Sequence, residues 1–581
     1  MSRYEDLSKE ELIARLKQLE AKKYGLVWDK EKEPEQVVLE CQNNIPILTK
    51  DSTKTINSSE EDLRHILIEG DNYHSLQVLN YTHKGKVDVI YIDPPYNTGN
   101  KDFCYNDHFV DKEDGYRHSK WLSFIDKRLR LAHSLLSDKG VVFISIDDNE
   151  MSQLKLLCDD IFHSDNFIAI LPRVVKKGGK STESISKNND YVLVYFKSSH
   201  SHLKKLSHND KGFKYKDEYF EERGYYKLNQ TLDYDSIQYS KSLDYMININ
   251  NLSITPGGVS LTEMAQRQEE NPVRDFCWRW SKKRYDFGLA QGFVVLKEYA
   301  NKLPRIYTKT YEKATIEKDT NSNYYVDIVP RMKPLSSLSL IDNIYSNDNA
   351  KKELRNFFGK VEFDYPKPSA LIRTLLSIST DKNSIILDFF AGSGTTGQAV
   401  LQLNNEDGGK RQVILCTNNE SDICEKVTYP RLNKVINGYI TPKKKEIAGL
   451  GGNLDYYKTA LIPIENIQSI IDEEREALAK QAGNMIAIKE NTTKETLLTD
   501  KYQIFTNNSN NILTAIYFSE DLSEFDNLLN DTKEHLTMLY IYSYGKIDKS
   551  AYQYLGENYI VKDIPQPIIN IYKEINKEAT Q

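Results

Sequence analysis

Val87-Asp88-Val89-Ile90-Tyr91-Ile92-Asp93-Pro94-Pro95-Tyr96 joins a six-residue, mostly apolar run to an acidic, doubly prolinated, aromatic turn. Far downstream, Ser384-Ile385-Ile386-Leu387-Asp388-Phe389-Phe390-Ala391-Gly392-Ser393-Gly394-Thr395-Thr396 also joins an apolar run to an acid, with glycines in the turn. Both runs have the length and composition of buried strands, and both are set among helical patterns. They predict units of a parallel α/β sheet.

Working outward, His65 to Glu69 predicts a strand, Tyr73 to Tyr81 a helix, Lys120 to Ser137 a helix and Gly140 to Ile146 a strand. Asn149 to Phe162 predicts the next helix and Tyr191 to Phe196 the next strand. Between residues 200 and 345 the pattern lapses into Tyr, Asn and Lys without a clean period, which predicts an inserted domain. Order returns with the strand ending at Asp388, a helix from Thr396 to Leu403 and a strand from Gln412 to Cys416. The nucleotide-type fold is therefore expected in two halves, 61–199 and 346–450, split by the insertion.

Ahead of it, residues 1–60 are read as a helical segment and a linker. Ser8 with Glu11 makes a capping box, Leu7 with Leu12 a hydrophobic staple, and Leu12, Leu16 and Leu19 a narrow apolar seam. The polar stretch Thr49 to Asp62 is expected as linker. Residues 451–581 predict a charged helix near Ser469 to Ala482. Strand, helix and strand follow at Ile512 to Phe518, Ser523 to Asn530 and Leu536 to Tyr542, a small separate α/β unit.

With 581 residues, several domains are expected, and a net charge of -7 argues against a uniformly basic surface while allowing a local basic patch. The cysteines at 41, 104, 158, 277, 416 and 424 have neither CxxC spacing nor histidines at zinc spacing, so reduced thiols and no metal are expected. The N-terminus has no apolar leader and no segment reaches the roughly 18 apolar residues of a membrane span, so a soluble, cytoplasmic protein is expected.

The chemistry follows from the two turns. An amino group on an aromatic base is a poor nucleophile because its lone pair is delocalised into the ring. Asp93 and the Pro94 carbonyl can each accept one of its hydrogens, favouring the pyramidal nitrogen that attacks an activated methyl. Pro94 and Pro95 fix the turn, and Tyr96 offers a face for a base extruded from a duplex. Asp388, Phe389, Ala391, Gly392, Ser393, Gly394 and Thr395 form a turn whose glycines let a nucleoside cofactor approach the backbone.

Glu420 follows the next strand, where an acid meets ribose hydroxyls. Asp71 and Asn72 follow the strand before, near a cofactor's adenine edge, and Lys367 and Ser369 are placed to hold a methionine carboxylate. Together these residues predict methyl transfer from S-adenosylmethionine to a base amine. The spacing Gly392, Gly394, Gly397 also matches a dinucleotide fingerprint, so an NAD-binding enzyme stays open for that segment alone.

Gly178-Gly179-Lys180-Ser181 mimics the end of a phosphate loop, but its first glycine would fall at Val174, so no nucleotide-triphosphate site is expected there. Lys176, Lys177 and Lys180, with Arg173, form a basic stretch suited to DNA phosphates or to solvent alone. Trp278-Arg279-Trp280-Ser281-Lys282-Lys283-Arg284 interleaves aromatics with cations. Arg279, Lys282 and Lys283 are candidate DNA contacts, and a folded core with a charged edge is the alternative.

Lys23 to Trp28, Ile68 to Asn72, Ile92 to Gly99, Tyr116 to Leu122, Phe143 to Glu150 and Asp388 to Thr396 resemble the modification subunit of type III restriction-modification systems, DNA adenine-N6 methyltransferases of the permuted β class. The resemblance implies a Rossmann-like, circularly permuted methyltransferase sheet that uses S-adenosylmethionine, with a target-recognition domain inserted at 200–345. It also implies a homodimer, double-stranded DNA as substrate and an ATP-dependent helicase-nuclease partner. Asp at the first position of the catalytic turn favours adenine N6 over cytosine N4. Asn188-Asn189-Asp190-Tyr191 departs from the family's usual His before the acid and Tyr. A stand-alone type II methyltransferase, a cytosine-N4 enzyme and a non-catalytic DNA-binding subunit are the remaining alternatives.

Overall fold

The computed structural model describes residues 9, 28 and 35–580, except 62, 101, 107, 179–183, 209–211, 301, 361, 362, 364, 508, 510 and 546. The helix expected from Ser8 therefore lies outside the described residues. One compact unit is formed from chain segments 1–204 and 336–581, and a second from 205–335.

The first unit is built on a large sheet. Its strands in chain order are β1 (Asn44–Lys50), β2 (Arg64–Glu69), β3 (Val87–Ile92), β4 (Leu136–Ile146), β5 (Phe167–Val174), β6 (Asn189–Phe196), β7 (Ile385–Asp388), β8 (Gln412–Thr417) and β9 (Asn453–Pro463). In space they run β1-β9-β2-β8-β7-β3-β4-β6-β5. The six from β9 to β4 are parallel, and β1 and β6 run against their neighbours. The central strands β3, β7 and β8 are almost wholly buried, which explains their near-continuous apolar sequences.

The order reverses between β7 and β3. From β7 the chain passes through helix α5 (Thr395–Asp407) to β8 on one side. From β3 it passes through α2 (Arg117–Leu135) to β4 on the other. A crevice opens at the carboxyl ends of strands where connections diverge in this way. Asp93 and the glycine turn both stand at that point. Helix α1 (Asn72–Thr82) links β2 to β3, α3 (Met151–Phe162) follows β4, and α4 (Ser369–Ser379) precedes β7.

Three strands of this sheet, β1, β5 and β9, were not foreseen. β5 carries Pro172, which an edge strand tolerates because its N–H side needs no partner. β9 carries the fully buried Asp455, paired with Lys50 at 2.7 Å and Arg64 at 2.7 Å, so its composition reads as polar. The expected linker from Thr49 is also partly ordered: β1 runs to Lys50, and Ile56–Asn57 pairs with β9.

The tail has its own sheet, β10 (Lys494–Leu498), β11 (Tyr502–Thr506), β12 (Ile512–Tyr517), β13 (Leu536–Tyr542) and β14 (Tyr559–Ile564) in that spatial order. The anticipated strand-helix-strand is β12, a helix at Phe525–Thr532, and β13. It is nevertheless not a free-standing body. Ile486, Phe505, Ile516, Tyr540, Ile569 and Tyr572 share one apolar core with Leu76, Leu79 and Ile45, and Tyr572 Oη donates to the Pro46 carbonyl at 2.6 Å. This cover explains why α1 is buried on every face from Tyr73 to Thr82.

The second unit falls inside the expected insertion. Its three-stranded sheet comprises Tyr226–Thr231, Val294–Tyr299 and Lys302–Tyr311, joined by several two-stranded pieces. Leu232, Ile247, Trp278, Tyr285 and Ile306 form its core. Among the described residues, no helix is long and apolar enough to cross a membrane.

Gly397, in the first turn of α5, lets that helix lie close to the helix at Tyr429–Asn437 and to β8: a Cβ there would fall 2.5 Å from Leu432 Cδ2 and 3.0 Å from Leu415 Cδ1. Gly397→Ala is expected to destabilise the first unit by about 1–3 kcal/mol through overpacking, read as a lower midpoint in urea unfolding.

Candidate active site

The turn after β3 is held from several directions. Trp121, fully buried in α2, donates from Nε1 to the Pro95 carbonyl at 2.7 Å. Tyr96 Oη donates to Asp190 Oδ2 at 3.3 Å. Burial, reinforced by the charge of Asp93, raises the Tyr96 phenol well above its usual range and keeps it neutral. Asp190 in β6 faces Arg173 in β5, whose guanidinium grips both its carboxylate oxygens and donates to the Tyr345 carbonyl at 2.7 Å. Arg173 is fully buried and belongs to this brace, not to the basic stretch in which the sequence placed it.

Asn97, in the left-handed region at φ 56°, carries the brace further. Its Nδ2 donates to Glu150 Oε1 at 2.5 Å and to the Arg117 carbonyl at 3.2 Å. Glu150 Oε1 also lies 2.7 Å from His118 Nδ1. Burial pushes the Glu150 carboxyl up to about 8. Burial and the neighbouring Arg117 push His118 down.

The second turn is braced by different residues. Gly392 and Gly394 adopt φ 47° and 74°, where other residues are strained. Asp388 accepts from Phe390 N at 3.0 Å and from Thr396 Oγ1 at 2.5 Å, so both its oxygens are engaged within the turn. Burial, with a contribution from Asp93, pushes its carboxyl up to about 7.

Beneath the turn, Arg431 in α6 (Tyr429–Asn437) donates to Ser393 O at 3.2 Å, Thr395 Oγ1 at 2.8 Å and Gln398 Oε1 at 2.8 Å. Asn72 Nδ2 donates to the Phe389 carbonyl at 3.0 Å. Asn72 in turn is held by the buried Arg128, which also pairs with Glu35 at 2.7 Å. Asp71 caps α1 by accepting from Tyr73 N at 2.6 Å.

Lys367 connects the two turns. Its Nζ lies 2.6 Å from each carboxylate oxygen of Asp93 and 4.9 Å from the Tyr96 ring centroid. Its carbonyl accepts from Thr395 Oγ1 at 3.2 Å. Ser369 opens α4, and its N–H donates to Glu353 Oε2 at 3.2 Å. Glu420 is exposed just beyond β8, with Asn418 Nδ2 at 3.5 Å. Arg431, Arg128, Glu150 and Trp121 were absent from the expected site because each acts through another residue, and a lone residue type carries no signal of that.

Of the DNA candidates, Lys176 and Lys177 are exposed after β5, and Lys180 lies outside the described residues. Arg279 is exposed above the Tyr234 ring at 4.4 Å, Lys282 pairs with Asp286, and Lys283 is exposed. Trp278 is core, donating from Nε1 to the Tyr245 carbonyl at 2.5 Å, so it is not a stacking platform.

A family model described as DNA methylase matches residues 87–429. The Mod subunit of the type III restriction-modification enzyme StyLTI from Salmonella typhimurium is 30% identical over 69% of this chain and 60% of its own length. The EcoPI Mod subunit of Escherichia phage P1 is 33% identical over 65% of this chain and 61% of its own. The type II methyltransferase M.KpnI of Klebsiella pneumoniae is 31% identical over 65% of this chain and 89% of its own. The chain thus spans about three fifths of the length of these two type III relatives.

Because the carboxyl of Glu150 is raised in the fold from 4.5 to about 8, its contribution to stability is complete below pH 4.5 and is lost as pH rises through about 8. Glu150→Gln removes that titration while His118 remains in both proteins. Between about pH 5 and about pH 9 the parent is expected to lose stability relative to the variant, measured by urea unfolding at both ends.

Proposed function

The chain belongs to the DNA methylase family, and we propose that it is a site-specific, adenine-specific DNA methyltransferase, moving the methyl group of S-adenosylmethionine to N6 of an adenine flipped out of double-stranded DNA. The observation that carries this reading is the meeting of the two turns, at the carboxyl ends of adjacent strands, with Lys367 joining them.

The residues present fit the cofactor. The left-handed glycines make the kind of strand-to-helix turn that receives a nucleoside, the exposed Glu420 carboxylate suits ribose hydroxyls, and Lys367 is a cation in reach of an amino-acid carboxylate. Asp71, Asn72 and Ser369 complete the proposed cradle, with Asp388 as its internal brace. When bound, S-adenosylmethionine supplies an electrophilic methyl on sulfur. Asp93 accepts one N6 hydrogen and the Pro94 carbonyl the other, so the nitrogen lone pair turns out of the ring plane as it reacts. Tyr96, neutral and fixed by Asp190, gives the extruded base a ring to stack on.

In this reading the chain is the modification and recognition subunit of a type III system, cytoplasmic, dimeric and partnered by an ATP-dependent restriction subunit. Its compact unit at 205–335 reads the DNA site, helped by Arg279, Lys282 and Lys283, while Lys176 and Lys177 meet phosphates. The likeness to two type III Mod subunits supports it. A stand-alone type II enzyme is the second reading, favoured by the match to 89% of M.KpnI.

Single-molecule sequencing of DNA from cells expressing the chain is expected to show N6-methyladenine on one strand of a recurring asymmetric motif. Asp93→Ala should abolish it, by a factor on the order of a thousand or more, while S-adenosylhomocysteine still binds. Unchanged methylation in the variant sinks the mechanism, and a palindrome methylated on both strands selects the type II reading. Exchanging residues 205–335 for the matching unit of a relative is expected to move the methylated motif without changing the methylated atom. A motif that stays put places recognition elsewhere.

A further inference from the structure

Lys367 occupies the very acceptor that the proposed chemistry needs. Its Nζ is equidistant from Asp93 Oδ1 and Oδ2 at 2.6 Å, with the lysine side chain 7% exposed and that of Asp93 22% exposed. An ammonium is a charged, donor-only group, and its bonds to a carboxylate are roughly twice as strong as those of a neutral donor. A base amine is a neutral donor. It cannot displace Lys367 from Asp93, nor does a carboxylate so neutralised keep its full strength as an acceptor.

A second anion can displace it. The main chain of Lys367 is fixed to Thr395 at the start of the helix behind the glycine turn, and its side chain is a flexible four-carbon stem. An amino-acid carboxylate arriving with a nucleoside on that turn therefore comes within the sweep of the same ammonium that now holds Asp93.

We propose that Lys367 is a positioning residue with two alternative anionic partners: Asp93 before the cofactor enters, and the cofactor's α-carboxylate afterwards. Cofactor capture thereby releases Asp93 to receive the target amine. The proposal rests on the methyltransferase reading above. It also means that the carboxylate competes with Asp93 for Lys367, so apparent cofactor affinity is reduced by the fraction of protein in which the pair is closed.

Calorimetric titration of the full chain tests this with two nucleosides: S-adenosylhomocysteine, which carries the carboxylate, and 5′-methylthioadenosine, which lacks it. With the closed pair populated to about nine tenths, Asp93→Asn tightens S-adenosylhomocysteine about tenfold and leaves 5′-methylthioadenosine unchanged. Lys367→Met weakens S-adenosylhomocysteine only, and in the double variant the gain from Asp93→Asn disappears. Binding of 5′-methylthioadenosine also reports that each variant is folded, and Asp93→Ala repeats the comparison without an amide. The proposal is overturned if both Asp93 variants weaken S-adenosylhomocysteine or leave it unchanged, or if they shift both nucleosides equally. A parent protein that binds neither nucleoside overturns the methyltransferase reading, and this proposal with it.

Discussion

The parallel pairing of β3 with β7 is the constraint on which the site depends. Val89 lies opposite Ile386 and Ile90 opposite Leu387, although just over half the chain separates them in sequence. That register sets Asp388 level with Tyr91 and leaves Asp93 two residues further out, a step of about 7 Å at the rise of a strand. A slip of one residue would turn every side chain of β3 to the opposite face. The acid of one turn would then no longer stand beside the glycines of the other.

Buried charge holds the turns in place around this register. Arg173 with Asp190, Arg128 with Glu35, and Arg431 under Ser393 and Thr395 each put a guanidinium where water is excluded. Such groups add little net stability compared with apolar replacements, but stranding one partner is costly. Their effect here is directional. Arg173 fixes the acid that orients Tyr96, and Arg128 fixes Asn72, which holds the Phe389 carbonyl. Lys367 differs from them in ending a flexible stem: in the exchange proposed above its ammonium passes from Asp93 to a cofactor carboxylate, whereas the guanidiniums are enclosed by their acceptors.

The tail contributes by enclosing α1. With Tyr73 through Thr82 buried on all sides, α1 cannot shift without disturbing the core shared by the main sheet and the tail. Asp71 and Asn72 start that helix, so their positions beside the glycine turn inherit its rigidity. Among the described residues, the tail thus bears on the geometry of the candidate site without supplying a group to it.

The residues whose meaning is local were legible in the sequence. The apolar runs before Asp93 and Asp388 are short, buried strands, and their length together with the turn residues that bound them gives their type. The prolines and glycines of the two turns restrict or free φ wherever they occur, and the irregular composition of the insertion marks it as a different kind of domain. β9 was hidden because its buried Asp455 is neutralised by Lys50 and Arg64 from other segments. β5 was hidden by Pro172 and by an arginine that looked solvated until Asp190 was brought opposite it. Only the tertiary structure decided that Lys367 grips Asp93, that Glu150 braces Asn97 and that Arg431 supports Ser393. These contacts join residues far apart in sequence, and the pairing energy of an ion or a buried hydrogen bond depends on distance and burial, which residue type alone does not specify.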